Sequence, residues 1–281
     1  MPYDAKDDSR KCYDVAVDAM RERHEAIMAA GAKRIEYIGD AVLIQGDCLE
    51  IMPALGRVDA VVTDPPYSSG GFQESGKSSG SIGSRGDVSI SGDTLSTRGY
   101  LRLMKRVFRS THADEFFVFT DWRMWTNTFD ALEDGYVRVR NMLVWDKAQM
   151  GMGLPWRNQH ELIAYGKRTR ASNVTGAAGN VLQFRRSGNV NHPTEKPVPL
   201  IAELIGNSHA QTILDPFMGS GTTLVAATQL GRRSIGIELD PDYFDIACKR
   251  VAEAWKQPRL FDEPKAPKPV TGDMFAQGDP Q

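Results

Sequence analysis

An apolar run over residues 58–63 (Val-Asp-Ala-Val-Val-Thr) ends at Asp64-Pro65-Pro66-Tyr67, which places a carboxylate, two prolines and an aromatic ring at the end of what reads as a buried strand. The two prolines remove backbone donors and fix φ, so neither strand nor helix continues and the carbonyls there point into open space. A rigid set of acceptors beside a flat ring suits a planar group that carries an exocyclic amine. The carboxylate and a backbone carbonyl accept its two N–H hydrogens while Tyr67 stacks on its face. A strand followed by a structural proline turn is the alternative that needs no ligand.

A second constellation lies near the other end of the chain. Residues 212–214 read as a strand, Asp215-Pro216-Phe217-Met218-Gly219-Ser220-Gly221 as a turn, 222–230 as a helix and 234–237 as a strand that ends at Glu238. In a nucleotide-binding βαβ unit glycines let the backbone approach a ligand, and an acid about 20 residues on binds a ribose hydroxyl pair. Here Thr222 and Thr223 follow Gly221, so the third glycine of a dinucleotide fingerprint and the lysine of a P-loop are both missing. A nucleoside without phosphates, needing only the close turn and the acid, is the better match. A purely structural turn is the other option.

The elements that must position these residues follow from periodicity. A helix is expected over 10–30, ending at Gly31, as a cover or dimer element; Ala41-Val42-Leu43-Ile44-Gln45 is a strand, followed by Gly46-Asp47 and a helix over 48–55. Residues 68–99 are dominated by Ser and Gly and are expected to form a mobile loop beside the tetrapeptide. Beyond it come a helix over 100–110, a strand over 115–120, Asp121 as a helix cap or cleft residue, a helix over 122–132, and strands over 137–145 and 161–165. The alternation predicts an α/β fold: a Rossmann-like, mostly parallel sheet of seven strands, one of them antiparallel, with helices on both faces. One domain over 1–255 is expected, and a Pro-rich disordered tail over 256–281.

Composition is that of a globular protein, 41% hydrophobic and 25% charged, which excludes fibrous and disorder-dominated classes. Cys12, Cys48 and Cys248 show no paired spacing, so neither a disulfide framework nor a zinc site is indicated and a reducing cytoplasm is the simplest home. No metal is called for. The amino terminus is charged and no run is long enough to span a bilayer, so a membrane is not expected to be a partner. Net charge is only -2, yet residues 138–186 carry nine basic side chains against two acidic ones, a block that could face a phosphate backbone or be a solvated face.

Taken together, Asp64-Pro65-Pro66-Tyr67 and Leu214-Asp215-Pro216-Phe217-Met218-Gly219-Ser220-Gly221-Thr222-Thr223 resemble the paired signatures of S-adenosylmethionine-dependent DNA amino-methyltransferases. The tetrapeptide precedes the cofactor turn, as in the permuted beta class. His192-Pro193-Thr194-Glu195-Lys196-Pro197, before a helix over 200–205, resembles that class's cofactor-side motif, and Gly46-Asp47 its acidic turn.

The resemblance implies methyl transfer to the exocyclic amine of a base flipped out of double-stranded DNA. Asp64, Pro65, Pro66 and Tyr67 would be catalytic. Cofactor contacts would come from Asp47, Asp64, Thr194, Lys196, Asp215, Phe217, Gly219, Ser220, Gly221, Thr222 and Glu238, with Asp47 on the adenine amine, Glu238 on the ribose and Asp215 on the methionine ammonium. A target-recognition region would span about 146–188, with Arg157, Lys167, Arg168, Arg185 and Arg186 as DNA contacts. Asp at 64, where cytosine enzymes of this type often carry Ser, favours the N6 amine of adenine over the N4 amine of cytosine. A catalytically silent DNA-binding protein of the same fold is the alternative from another class. The helix over 10–30 is a candidate homodimer interface, and Gln257-Pro258-Arg259-Leu260-Phe261 resembles a sliding-clamp docking peptide.

Overall fold

The computed structural model describes residues 20–66, 96–151, 155–169, 178–187 and 195–257. Tyr67, Thr194, His192, residues 10–19 and most of the peptide at 257–261 lie outside them. Nine strands form one sheet: β1 (Arg34–Ile38), β2 (Ala41–Gln45), β3 (Ala60–Thr63), β4 (Glu115–Thr120), β5 (Arg138–Asp146), β6 (His160–Lys167), β7 (Val181–Gln183), β8 (Thr212–Asp215) and β9 (Arg233–Glu238). Their spatial order is β1-β2-β9-β8-β3-β4-β6-β5-β7. The helices are α1 (His24–Ala29), α2 (Cys48–Leu55), α3 (Thr97–Ser110), α4 (Trp125–Asp134), α5 (Val198–Gly206), α6 (Thr222–Gln229) and α7 (Pro241–Lys256).

The sheet is larger than the expected seven strands, and two strands rather than one run against the rest: β1 pairs antiparallel with β2, and β6 with both β4 and β5. The additional strands are β1 and β7, both on the sheet's edges, where one-sided burial leaves a weak alternation to detect. The central strands are continuous apolar runs because helices cover both of their faces. Side chains of α1 to α4 pack on one face with Val42, Val61, Phe116 and Leu214. On the other, α5 and α6 pack on Val62, Phe117 and Ile213, and α7 continues that layer over Ala41 and Leu43.

Helix α3 shows how sequence becomes this packing. Tyr100, Met104, Val107 and Phe108 recur at helical spacing and are buried, while the Ser96 hydroxyl accepts the Gly99 N–H at 3.1 Å as the cap. The helix thus starts three residues before the expected 100, inside the Ser- and Gly-rich stretch, because the cap outweighs the low propensity of Gly99. Asp121 is a cap as well: its Oδ1 accepts the N–H groups of Arg123 and Met124, each at 2.9 Å.

The carboxyl ends of α3 and α4 are closed by one side chain. Arg168, just after β6, donates to the carbonyls of Phe108, Thr111, Ala113 and Gly135 and lies 5.0 Å from the ring centre of Phe116. Replacing it with Met should leave these carbonyls unsatisfied and cost about 2–4 kcal/mol, summing two or so unmet buried acceptors. Thermal unfolding should show a lowered Tm; an unchanged Tm would mean that water serves those carbonyls equally well. No helix among the described residues is long and apolar enough to cross a membrane.

Candidate active site

Strands β2, β9, β8, β3, β4, β5 and β7 all point the same way, so their carboxyl ends share one edge of the sheet. Between β3 and β8 the connections diverge. β3 leads through α3 to β4 on one side, and β8 leads through α6 to β9 on the other, which opens a crevice at the ends of these two strands. Asp64 and Asp215 stand at that crevice, brought together across 151 positions of sequence by β3–β8 pairing.

The two carboxylates differ in surroundings. Asp215 is 4% exposed and accepts from Thr63 Oγ1 at 2.7 Å, from the Phe217 N–H at 3.1 Å and from the Thr223 hydroxyl. These inward contacts tie β8 to β3 and to the turn. Burial raises its pKa to about 6, against the pull of those three donors, and the nearby Asp64 charge adds to the rise. In the unfolded chain the group loses its proton near pH 4. The folded state therefore binds more protons between pH 4 and 6, and Asp215 makes stability fall as pH rises through about 6. Asp215→Asn should flatten that part of a Tm–pH curve; an unaltered slope between about pH 4 and 6 would contradict the assignment.

Asp64 is held from one side. Its Oδ2 accepts from Lys196 Nζ, while Oδ1 is buried with no hydrogen-bond partner among the described residues. Lys196 sits against the tetrapeptide, 7% exposed at its side chain and 5.3 Å from the ring centre of Phe119. Glu161 and Lys147 extend the cluster: Glu161 Oε2 lies 3.5 Å from Lys196 Nζ, and Glu161 Oε1 lies 2.5 Å from Lys147 Nζ. Burial lifts the Asp64 pKa above its usual range; Lys196 opposes this and Glu161 reinforces it.

Neither Glu161 nor Lys147 stood out in the sequence. Because β6 runs antiparallel, its first residues face the same edge as the end of β5, with Trp145 opposite Glu161 and Asp146 opposite His160. Opposite charges flanking a turn between two apolar strands were the available signal.

The turn after β8 has the geometry of a ligand cradle. Gly219 has φ +50° and a Cβ placed there would meet nothing within 4 Å; Gly221, at φ +81°, would bring a Cβ to 2.9 Å from that of Ala247. Glu238 binds the turn through Oε2 to the Gly219 N–H at 2.9 Å, and through Oε1 it accepts the Asp240 N–H at 2.8 Å. The Gly46 N–H donates to the Glu238 carbonyl at 2.9 Å, so Asp47, the cap of α2, lies at the adjoining strand end. Phe217 is half-buried in the turn.

Ser220 and Thr222 accept from Arg250 of α7, at 2.8 and 3.2 Å, and Arg250 also binds Glu195 Oε1 at 2.5 Å. Arg250 and Glu195 had no predicted role. They fasten the turn to the segment that carries Lys196.

Of the expected DNA contacts, Arg157, Arg185 and Arg186 are exposed, in the β5–β6 connection and just beyond β7, on the edge that carries Asp64. Lys167 and Arg168 lie at the opposite edge, since β6 is antiparallel. There Lys167 pairs with Glu115 at 3.2 Å and Arg168 closes the two helices, away from the edge that carries Asp64.

Residues 175–249 match a family model described as DNA methylase. A curated relative, YubD of Escherichia coli (strain K12), named for methylase activity, is 34% identical over 215 residues, covering 74% of this chain and 89% of the relative. The chain belongs to the N6/N4 DNA methylase family. The fold of this methylase is shared with solved structures. The M1.HpyAVI–SAM complex matches at TM-score 0.58 and 23% identity, over 75% of the methylase and 98% of that chain. PvuII DNA methyltransferase (cytosine-N4-specific) matches at TM-score 0.58 and 15% identity, over 76% and 86%.

Proposed function

We propose that the protein transfers a methyl group from S-adenosylmethionine to the N6 amine of an adenine flipped out of double-stranded DNA. The observation that carries this is Asp64 at the crevice between β3 and β8, with one carboxylate oxygen bound and the other buried without a hydrogen-bond partner among the described residues, beside a turn where a Cβ at Gly219 would meet nothing within 4 Å. A nucleoside cofactor fits the adjoining residues: Glu238 and Asp47 at neighbouring strand ends for ribose and base, and the 217–221 backbone for the rest. When bound, S-adenosylmethionine supplies an electrophilic methyl group.

The protein's part is orientation and electrostatics. Asp64 and the Pro65 carbonyl accept the two amine hydrogens, which localises the nitrogen lone pair for attack. Tyr67 stacks on the base, offsetting some of the few kcal/mol that flipping costs. The proton released after transfer leaves through Asp64 or water. Exposed Arg157, Arg185 and Arg186, together with Trp122, 58% exposed beyond β4, give the same edge basic and aromatic groups for phosphates and bases. The acid at 64 is the feature that favours adenine.

Incubation of the full chain with methyl-labelled S-adenosylmethionine and plasmid DNA, RNA or protein extract tests the substrate class, and mass spectrometry of nucleosides tests the base. Label in DNA as N6-methyladenine is expected. N4-methylcytosine would overturn the adenine assignment, and label in RNA or protein alone would overturn the DNA assignment.

A further inference from the structure

The charges around Asp64 alternate along one line. Lys147 after β5, Glu161 at the start of β6, Lys196 before α5 and Asp64 after β3 run plus, minus, plus, minus, each within 3.5 Å of the next. Every member comes from a different part of the chain. The two lysines are 7% exposed at their side chains and Glu161 is 19% exposed, so their mutual attraction is little screened. Both ammonium groups also lie over rings, Lys147 at 5.1 Å from the Trp145 centre and Lys196 at 5.3 Å from that of Phe119. The arrangement fixes each lysine on two sides and leaves Asp64 at the end of the row.

We propose that Lys196 and Glu161 are positioning residues which, with Lys147 behind them, hold Asp64 by Oδ2 and keep Oδ1 as the acceptor for the substrate amine. Glu161 divides its charge between two lysines, so that Lys196 grips Asp64 without neutralising it fully. Lys196 alone would hold the carboxylate harder and make it a weaker acceptor. Without Lys196, Asp64 would be a desolvated acid inclined to keep its proton. The inference rests on the methyl-transfer function and names how its central carboxylate is set.

The test compares Glu161→Gln and Lys196→Met with the unaltered protein. The groups that face Asp64 are Lys196, Glu161 and Lys147, and its charge is also felt by Asp215 and Tyr100. Activity falls on the acid side as Asp64 takes up a proton. Loss of the Glu161 charge should therefore move that limb to lower pH, and loss of Lys196 should move it to higher pH. Single-turnover methylation should drop on the order of 10²-fold in both variants, the scale of a misplaced reacting group. DNA affinity should stay as in the parent, and so should the cofactor affinity of Glu161→Gln.

A structural cluster would instead lower stability and all affinities together and leave the limb in place, which would overturn the proposal. Carbon-13 titration of the Asp64 carboxyl provides the same comparison without turnover. If the parent methylates no DNA, the proposed function fails while opposite carboxyl shifts still support the clamp; if the parent is active and the carboxyl does not move, the clamp fails alone.

Discussion

Replacing Asp64 by Ala is expected to lower methyl transfer on the order of 10³-fold or more while cofactor affinity changes little. The loss has two parts. The amine no longer meets a charged acceptor in a poorly solvated site, where removal of a single preorganised group costs roughly 10²–10³-fold. The second part is geometric, since a nitrogen held by the Pro65 carbonyl alone can rotate out of line. Single-turnover rates measured beside equilibrium binding of the cofactor check this, and a variant within tenfold of the parent would remove Asp64 from the chemistry.

The same variant should be less stable by about 1–3 kcal/mol, because Lys196 is left buried with Glu161 as its remaining carboxylate neighbour in the cluster. Adding Lys196→Met should return part of that stability without returning activity. Separation of the two readouts follows from Asp64 having both a fold partner and a substrate partner.

Two glycines in the turn after β8, the strand beside β3, should part company in a comparable way. Gly221→Ala places a methyl group 2.9 Å from Ala247 at φ +81°, so it combines left-handed strain of about 1–2 kcal/mol with overpacking of about 1–3 kcal/mol. A total of about 2–4 kcal/mol should appear in thermal unfolding. Gly219→Ala carries only the strain, because the space beside it is open, but that space is where the cofactor is proposed to lie. Its signature should be a cofactor affinity reduced about tenfold or more, the equivalent of one displaced contact near 1.4 kcal/mol, with a smaller loss of stability. Equilibrium dialysis and thermal scans on the pair decide it. If Gly219→Ala binds the cofactor normally, the ligand lies elsewhere.

Much of the crevice could be anticipated. Strands β2, β3 and β4, helix α2 and the turn from Asp215 to Gly221 stand where apolar runs, prolines and glycines place them, because those signals are local. What escaped prediction was set by strand direction and pairing. Glu161 and Lys167 are six residues apart on one strand, yet an antiparallel β6 sends the first to the crevice and the second to the far edge. A basic block counted along the chain could not make that distinction, nor show that Arg168 closes two helices. Lys196 illustrates the same limit, since the motif located it beside the cofactor turn and only the packing of α5 against β3 and β4 carries it to Asp64.

The strand order bears on how the chain is made. Strands β8 and β9, from the last third, are wedged between β2 and β3 from the first quarter. While a ribosome is still synthesising the middle of the chain, β2 and β3 each have an unpaired side facing a gap two strands wide. The early half cannot close its own sheet, and the apolar sides of β2 and β3 wait for partners encoded more than 150 residues later. Assembly is therefore expected to be late and largely post-translational, with the nascent chain relying on chaperones or on speed to avoid sticking to its neighbours.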